Sequence, residues 1–523
     1  MQAQTVASMP VAQKVGQLFM AGFDGSEPTD GVLELIREYN LGNIIYFARN
    51  ITSPTQVATL SAELQSEATA VGAGLPLFVA TDQEGGVVSR LNWGTQLPSQ
   101  MLIGACDDDV MARRAGATVG RELRSLGINL NLAPVLDVNN NPDNPVIGVR
   151  SFGEDPERVA TLGTAMAQGL QSVGVTACGK HFPGHGDTAV DSHLDLPVVA
   201  HERSRLERIE FAPFKAAIQS GIDAIMTTHV AFPAITGSKE LPATMSSAVQ
   251  TALLRKQLGF DGVLVTDCLE MDAIAEGVGP AEGAVRAIEA GCDIITVSHT
   301  LERQRAAIEA VLSAVRSGRL TEERIDRSLY RIRRCKQRRL GESETVEVPE
   351  WRRCATASKQ LAAEIADCGI TLVRDDSETL PFDTSRPLHV VSFAGTRGSP
   401  AEDERYDPEV VSTALREVGF EVTTQIITGD DPISIEAKNE QMIAVSYDAR
   451  ATESRAEALQ SLSQHHDQLA VLAVRNPYDL SICPDTVTFL TTYDYSPGAI
   501  QAAAKTLAGN VEPTGTLPVT VPE

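Results

Sequence analysis

Eight short apolar segments that alternate with helical patterns limit the folds open to this chain of 523 residues more than any other feature. The predicted strands span residues 17–23, 42–47, 77–81, 130–138, 175–179, 224–228, 262–266 and 293–297. Between them, apolar side chains recur at helical spacing, as at Ile308, Val311 and Leu312, before a terminating Gly318. Strands that alternate with helices form parallel βα units. Eight units within residues 1–340 predict a (β/α)8 TIM-type barrel, and a doubly wound parallel sheet is the alternative.

The pattern changes after residue 340. Residues 341–350 are charged and lack periodic apolar side chains, which is typical of a linker. A helix that ends at Gly369 follows, and apolar strands then recur at 370–373, 389–393, 442–446, 469–474 and 487–493. The predicted fold class is therefore α/β, with a barrel over 1–340, a linker over 341–350 and an αβα sandwich domain over 351–523.

Composition excludes several functional classes. The formal charge of −25 and the pI near 4.8 predict no binding to nucleic acid or to an anionic membrane, because both would be repelled. The eight cysteines contain no CxxC pair, which favours reduced thiols over a disulfide framework or a zinc site. The first ten residues lack the pattern of a secretory signal. We therefore expect a cytoplasmic protein, with secretion as the alternative if a signal peptide has been removed.

Polar side chains follow four of the predicted strands. Asp82 follows the third strand, a histidine-rich run over 180–187 the fifth, His229 the sixth and Asp267 the seventh. Barrel enzymes carry their catalytic groups on the loops that follow the carboxyl ends of the strands. These positions predict one active site at that end of the barrel.

Two residue types in this set suit glycoside chemistry. A carboxylate delivered by a buried strand, such as Asp267, can attack the anomeric carbon of a sugar, as the nucleophile of retaining glycosidases does. His193, with an ordinary pKa of about 6.5, can donate and retrieve a proton near neutral pH. Asp191, two residues earlier, can orient that ring.

Three motifs make the chain resemble a known family. KHFPGHGDTAVDSH at 180–193, ATDQEGG at 80–86 and VTDCLEMDAI at 265–274 are similar to those of family 3 glycoside hydrolases of the β-N-acetylglucosaminidase group. The resemblance covers residues 15 to about 340 and implies a (β/α)8 barrel with a catalytic Asp-His dyad. It places the nucleophile at Asp267 and the acid/base at His193, assisted by Asp191. The C-terminal segment resembles the αβα sandwich domain of longer family members.

The resemblance also implies a set of substrate-binding residues and no metal or cofactor. The binding residues are Asp82, Arg90, Arg150, Lys180, His181, His229 and Met271. Arg90 and Arg150 have the alternative of structural ion pairs, and Met271 that of a core residue. Val87 and Cys268 depart from the family pattern, in which an arginine and a polar residue are usual.

The function that follows is a retaining β-N-acetylglucosaminidase acting on muropeptides or chitooligosaccharides, with a role in peptidoglycan recycling if the protein is cytoplasmic. A phosphorylase is the first alternative, because a neutral imidazole repels an incoming phosphate less than a carboxylate would. A metal-dependent barrel hydrolase could instead use His181, His185, His193 and His229 with Asp267 as ligands. A non-catalytic sugar-binding protein is the last alternative.

Overall fold

A computed structural model describes residues 8–71, 74–91, 93–94, 96–189, 196–340, 348–395, 399–403, 406–428, 441–466 and 468–522. Within these residues, eight buried parallel strands form a barrel. They are β1 Phe19–Ala21, β2 Asn43–Tyr46, β3 Phe78–Thr81, β4 Leu130–Asn131, β5 Thr176–Phe182, β6 Ala224–Thr227, β7 Val263–Thr266 and β8 Ile295–Val297.

The strand order closes the sheet on itself. The order is β8-β1-β2-β3-β4-β5-β6-β7, and β7 meets β8 through a parallel bridge between Val265 and Ile294. The backbone N–H of Thr266 donates to the Ile294 carbonyl at 2.9 Å across the same gap. The barrel is confirmed, and the doubly wound alternative is wrong.

Helices surround the barrel and connect its strands. Their bounds are Val11–Gly16, Asp30–Arg37, Pro54–Ala70, Gln100–Cys106, Asp109–Ser125, Pro156–Ser172, Arg203–Arg208, Phe211–Gln219, Pro233–Thr236, Asp272–Ala275, Gly279–Ala290, Leu301–Arg316 and Glu322–Leu340, with a π-helical segment at Ala248–Gln257. Short 3-10 turns lie at Ala48–Asn50, Gly148–Arg150 and Ala243–Met245, and Gln83–Gly85 pairs with Val88–Ser89 in a small antiparallel hairpin.

Two strands differ in length from the prediction. The fourth strand was expected over 130–138 but ends at Asn131, because Pro134 has no N–H to offer the ladder. The fifth was expected over 175–179 but continues to Phe182, because the N–H groups of Leu136 and Thr228 donate to the carbonyls of Lys180 and Phe182. Lys180 and His181 therefore lie on a strand and not on a loop.

The C-terminal part contains a second sheet, in which the described residues form six strands. They are β9 Thr371–Arg374, β10 Leu388–Phe393, β11 Val422–Ile427, β12 Gln441–Ser446, β13 Leu469–Ala473 and β14 Thr488–Thr491. The order is β9-β14-β13-β12-β10-β11, with β9 antiparallel to β14 and the other pairs parallel. The prediction missed β11, which lies at the edge and whose polar, half-exposed residues form no apolar run.

Helices cover both faces of this sheet. Their bounds are Val348–Gly369, Val410–Glu417, Glu453–His465 and Pro497–Leu507, with short 3-10 segments at Ala449–Ala451 and Pro477–Ile482. Val391 and Val471 pack on one face with Leu459, whereas Val390 and Leu472 belong to the core shared with the barrel. The layers are those of an αβα sandwich.

The helix Val348–Gly369 joins the two parts. It begins inside the predicted linker 341–350, whose residues 341–347 lie outside the described part, so the predicted domain bounds stay a prediction. The helix packs against Gln100–Cys106 and Asp109–Ser125 of the barrel region. In the described residues no helix has the length and apolar character that a membrane crossing needs. All eight cysteines fall in the described part and are free thiols.

Candidate active site

A cavity of about 390 Å³ opens at the carboxyl ends of the barrel strands. The predicted residues that line it are Asp82, Arg90, Arg150, Lys180, His181, Asp267 and Met271. Residues 400–403 of the C-terminal part complete its wall. Residues from three separate sequence motifs, and from both halves of the chain, therefore line the same cavity.

Lys180 links two carboxylates at the floor of this cavity. Its Nζ lies 2.7 Å from Asp82 Oδ1 and 2.7 Å from Glu84 Oε1. Glu84 also accepts two hydrogen bonds from Arg150, at 2.9 Å from Nε and 2.8 Å from Nη2. The chain just after strand β3 supplies the two carboxylates, strand β5 supplies Lys180, and the 3-10 turn Gly148–Arg150 supplies Arg150.

Burial alone would raise the pKa of the Glu84 carboxyl, but the charges of Arg150 and Lys180 outweigh it and hold that pKa well below its usual range. The same pairing raises the pKa of Arg150 and of Lys180 in spite of their burial. The motif quoted for Asp82 contains Glu84, yet no role was assigned to it. A carboxylate followed by two glycines, just after a buried strand, was the available signal.

Asp137 positions the histidine-rich run and was not predicted. Its Oδ2 lies 2.7 Å from Nδ1 of His181, and its Oδ1 accepts the backbone N–H of His185 at 2.7 Å. Burial opposes its ionisation, but the nearby imidazoles and these hydrogen bonds lower the pKa of Asp137 overall. Because Nδ1 of His181 is taken by Asp137, Nε2 is the ring nitrogen left for a ligand in the cavity.

A glycine explains the local path of this run. A Cβ on Gly186 would lie 1.8 Å from the carbonyl oxygen of Val138, so only glycine permits that close approach. His185, beside it, lines the cavity and its Nδ1 lies 2.8 Å from Thr188 Oγ1.

Asp267 directly follows β7. Its backbone N–H donates to the Thr227 carbonyl at 3.1 Å, and its Oδ1 accepts the N–H of Cys268 at 2.8 Å. Met271 precedes the helix Asp272–Ala275 and lines the same cavity although it is largely buried. The strand therefore delivers the Asp267 carboxylate to the cavity on a short, hydrogen-bonded turn.

His229 differs from the expectation, which put it on the cavity wall. It is fully buried, and its Nδ1 and Nε2 lie 2.8 Å from Thr244 Oγ1 and 2.9 Å from the Cys268 carbonyl. It therefore packs behind the turn that carries Asp267. Thr244, which contacts the His229 ring, also donates its hydroxyl to the Thr228 carbonyl at 2.8 Å, a contact distant in sequence that the apolar-then-histidine pattern did not indicate.

Asp191 and His193 lie outside the described residues, so their predicted roles stay predictions. The described chain on either side is fixed by hydrogen bonds, from Asn141 Nδ2 to the Thr188 carbonyl at 3.2 Å and from the Ala231 N–H to the Pro197 carbonyl at 2.9 Å. Among the described residues no three His, Cys, Asp or Glu side chains are grouped to hold a metal ion.

The C-terminal part contacts the site through residues that sequence reasoning missed. Asp479 and Asp494 are buried and hydrogen-bonded within the C-terminal part or to Ser99, and Asp485 is exposed. Glu402 and Asp403 line the cavity instead. No local pattern singles out these two acidic residues, because their partners lie far away in the sequence.

Comparison with known proteins agrees with this geometry. The N-terminal domain of glycosyl hydrolase family 3 matches residues 10–335. Beta-hexosaminidase A of Pseudoalteromonas piscicida is 32% identical, over 93% of this chain and 90% of its own length. A beta-N-acetylglucosaminidase/beta-glucosidase of Cellulomonas fimi is 28% identical, over 98% of this chain and 94% of its own.

A solved structure extends the likeness to the whole chain. The family 3 beta-N-acetylglucosaminidase from Paenibacillus sp. str. FPU-7 is 46% identical, with a TM-score of 0.90 over 98% of this chain and 99% of that one. The likeness includes the C-terminal sandwich as well as the barrel. This chain therefore belongs to glycosyl hydrolase family 3.

Proposed function

We propose that this glycoside hydrolase removes terminal β-linked N-acetylglucosamine from oligosaccharides, with retention of configuration. The observation that carries the proposal is the placement of the Asp267 carboxylate in the same cavity as Asp82, Lys180 and His181. That cavity combines one carboxylate at a strand end with a dense set of hydroxyl-binding groups. The names of the relatives from Pseudoalteromonas, Cellulomonas and Paenibacillus support N-acetylhexosamine as the sugar.

The reaction proceeds in two displacements. Asp267 attacks the anomeric carbon while His193, assisted by Asp191, protonates the departing glycosidic oxygen, and a covalent glycosyl-enzyme forms. His193 then removes a proton from water as the water attacks the same carbon and releases Asp267. The chain's own residues supply the nucleophile, the acid and the base.

The cluster at the cavity floor divides into groups that bind sugar and groups that hold them. Asp82, Arg90, Lys180, His181 and Met271 contact the sugar in this proposal. Arg150 acts through Glu84, because its Nε and Nη2 are bound to that carboxylate and its Nη1 donates to the Val146 carbonyl at 3.0 Å. This is the structural ion pair that the sequence left as an alternative.

The natural substrate is a muropeptide or a chitooligosaccharide. A cytoplasmic enzyme of this kind would serve peptidoglycan recycling. The two substrate classes are distinguished by incubating the enzyme with defined fragments of each and measuring the released N-acetylglucosamine by chromatography. A preference of at least about tenfold in kcat/KM identifies the substrate class, since it corresponds to about 1.4 kcal/mol in the transition state.

The test of the function itself uses aryl β-N-acetylglucosaminide, with and without inorganic phosphate, and mass spectrometry of the sugar product. We expect free N-acetylglucosamine at a rate that phosphate does not change. Aryl β-glucoside is assayed in parallel, because the Cellulomonas relative is named for both activities. A phosphate-dependent rate that yields the sugar 1-phosphate would instead establish the phosphorylase.

The Asp267→Asn variant is the control for mechanism. Loss of the nucleophile should lower kcat by at least about 1,000-fold while the enzyme still binds N-acetylglucosamine. Turnover that requires an added divalent cation and is abolished by a chelator would point to the metal-dependent alternative. Binding without turnover in the wild type would point to the sugar-binding alternative.

A further inference from the structure

We propose that Asp403, from the C-terminal part, is a positioning residue that holds Arg90 away from Asp82 and so keeps one Asp82 oxygen available to a sugar hydroxyl. The inference rests on the proposed function, in which Asp82 accepts a hydrogen bond from the substrate. It assigns to the C-terminal part a role in sugar affinity.

Asp403 is bound to the barrel at three points. Its Oδ2 accepts the backbone N–H of Ser89 at 2.9 Å and lies 2.9 Å from Arg90 Nη1. Its own N–H donates to the Val87 carbonyl at 2.9 Å, and the Ala401 carbonyl accepts from Arg90 Nη1 at 3.1 Å. The side chains of Arg90 and Asp403 are 8% and 11% exposed, so water screens this ion pair little. The segment 401–403 therefore fixes one end of the Arg90 guanidinium.

The other end of that guanidinium forms a long ion pair with Asp82 but no hydrogen bond. Arg90 Nη2 lies 3.8 Å from Asp82 Oδ2, beyond the distance of a hydrogen bond, whereas Asp82 Oδ1 is held by Lys180 at 2.7 Å. The Asp82 side chain is 14% exposed and lines the cavity. Oδ2 is thus the Asp82 oxygen that a sugar hydroxyl can approach, next to the Arg90 guanidinium.

Arg90 would gain by turning toward Asp82 if Asp403 released it. Its Nε is buried and has no hydrogen-bond partner among the described residues. A guanidinium and a carboxylate prefer a bidentate pair, and such a pair would occupy Oδ2. A sugar hydroxyl would then have to displace a charge-assisted hydrogen bond before it could bind. The loss falls on binding in the ground state and in the transition state alike, so it appears mainly in KM.

The experiment compares Asp403→Asn with wild type on aryl β-N-acetylglucosaminide, and measures the Kd of N-acetylglucosamine by calorimetry. We expect KM and Kd to rise about tenfold, as the competing charged hydrogen bond implies, with kcat changed less than about threefold. Asp403→Glu, which keeps the charge, should recover part of the affinity. Asp485→Asn is the matched control, because it removes an exposed carboxylate of the same domain that pairs with Arg374, and it should leave KM unchanged.

A double-mutant cycle identifies the route of the effect. If Asp403 acts through Arg90, Asp403→Asn should change the Kd less than about twofold in an Arg90→Ala background. An equal rise in Kd in both backgrounds, or a wild-type KM in Asp403→Asn, overturns the inference alone. A wild type without turnover of the aryl N-acetylglucosaminide overturns the proposed function and this inference with it. Thermal unfolding of each variant separates lost affinity from lost fold.

Discussion

At the scale of single residues, the site is a set of buried charges that fix one another. Glu84, Arg150 and Lys180 have side chains 1%, 4% and 3% exposed. The free energy needed to remove such charges from water is about as large as the free energy of their attraction, so the cluster adds little net stability. In the proposed function its value lies in preorganisation, because Lys180 and Asp82 would meet the sugar in a geometry that does not have to be assembled on binding.

Removal of one charge should nevertheless be costly. Glu84→Gln leaves Arg150 and Lys180 buried beside a neutral amide, and we expect the free energy of unfolding to fall by about 3–5 kcal/mol. Glu282→Gln is the matched control, since Glu282 bonds two arginines, Arg286 and Arg319, at the surface. That change should cost less than about 1 kcal/mol. Urea unfolding measures both, and equal losses in the two variants would contradict the argument.

The sequence indicated the residues of the site whose signal is local. Asp82, Lys180, His181 and Asp267 each stand at the end of a predicted strand, and strand ends in a barrel converge. Asp137 and Asp403 could not be found this way. They contact His181 and Arg90, which are distant in the sequence, and no local sequence pattern indicates which distant residues pair.

At the scale of elements, the predicted strands were most accurate where they are buried on both faces. All eight barrel strands were located, because each is an apolar run bounded by turn residues. The errors lie at β4, where Pro134 ends the ladder, at β5, where polar residues continue it, and at the exposed edge strand β11. A run of apolar residues predicts a buried strand. The ends of β4 and β5 and the presence of β11 depend instead on hydrogen bonds with other segments of the chain.

The N-terminus of the helix Gln100–Cys106, in the barrel region, is bonded to a titratable carboxyl group of the sandwich, that of Asp494. Ser99 caps the helix Gln100–Cys106 and its N–H donates to Asp494 Oδ2 at 2.6 Å, while Asp494 Oδ1 accepts the N–H of Ser496 at 2.6 Å. Burial raises the pKa of Asp494 to about 7, although these backbone hydrogen bonds favour its charge. The folded protein then binds a proton between about pH 4 and pH 7 that the unfolded chain releases.

Stability should therefore depend on pH through Asp494. Its contribution is fully present below about pH 4 and is lost as the pH rises toward 7, with a slope of at most about 1.4 kcal/mol per pH unit. Asp494→Asn removes this dependence, so wild type should lose stability relative to the variant across that window. Urea unfolding at pH 4.5, 5.5, 6.5 and 7.5 measures the difference. A difference independent of pH would show that Asp494 does not titrate there.

At the scale of the whole molecule, the barrel and the sandwich share one core. The same apolar cluster includes barrel residues such as Leu102 and sandwich residues such as Val390 and Tyr493, joined by Leu361 and Ile365 of the connecting helix. The acidic segment 401–403 adds polar contacts at the cavity. Because the two parts share an apolar core and also contact each other at the cavity, we expect them to unfold together and not to separate first.

The two tryptophans of the chain report on this junction. Trp93 of the barrel region and Trp351 of the connecting helix have ring centroids 5.4 Å apart, and Trp351 Nε1 donates to Glu122 at 3.3 Å. We expect tryptophan fluorescence and far-UV circular dichroism to change together in a urea titration, because coincident probes mark one cooperative transition. Ile365→Ala, which truncates a fully buried side chain at the junction, should lower both midpoints by the equivalent of about 2–5 kcal/mol.

A second truncation tests whether this coupling extends beyond the junction. Leu459 is fully buried under the far face of the sandwich, in the separate apolar cluster of the helix Glu453–His465. If the molecule unfolds as one unit, Leu459→Ala should also move the tryptophan midpoint together with the dichroism midpoint, although it touches neither indole. A dichroism change that precedes an unshifted fluorescence change would mean that the sandwich unfolds on its own. Residues 401–403 could then leave the cavity while the barrel stays folded, and the site would depend on a domain contact that can open.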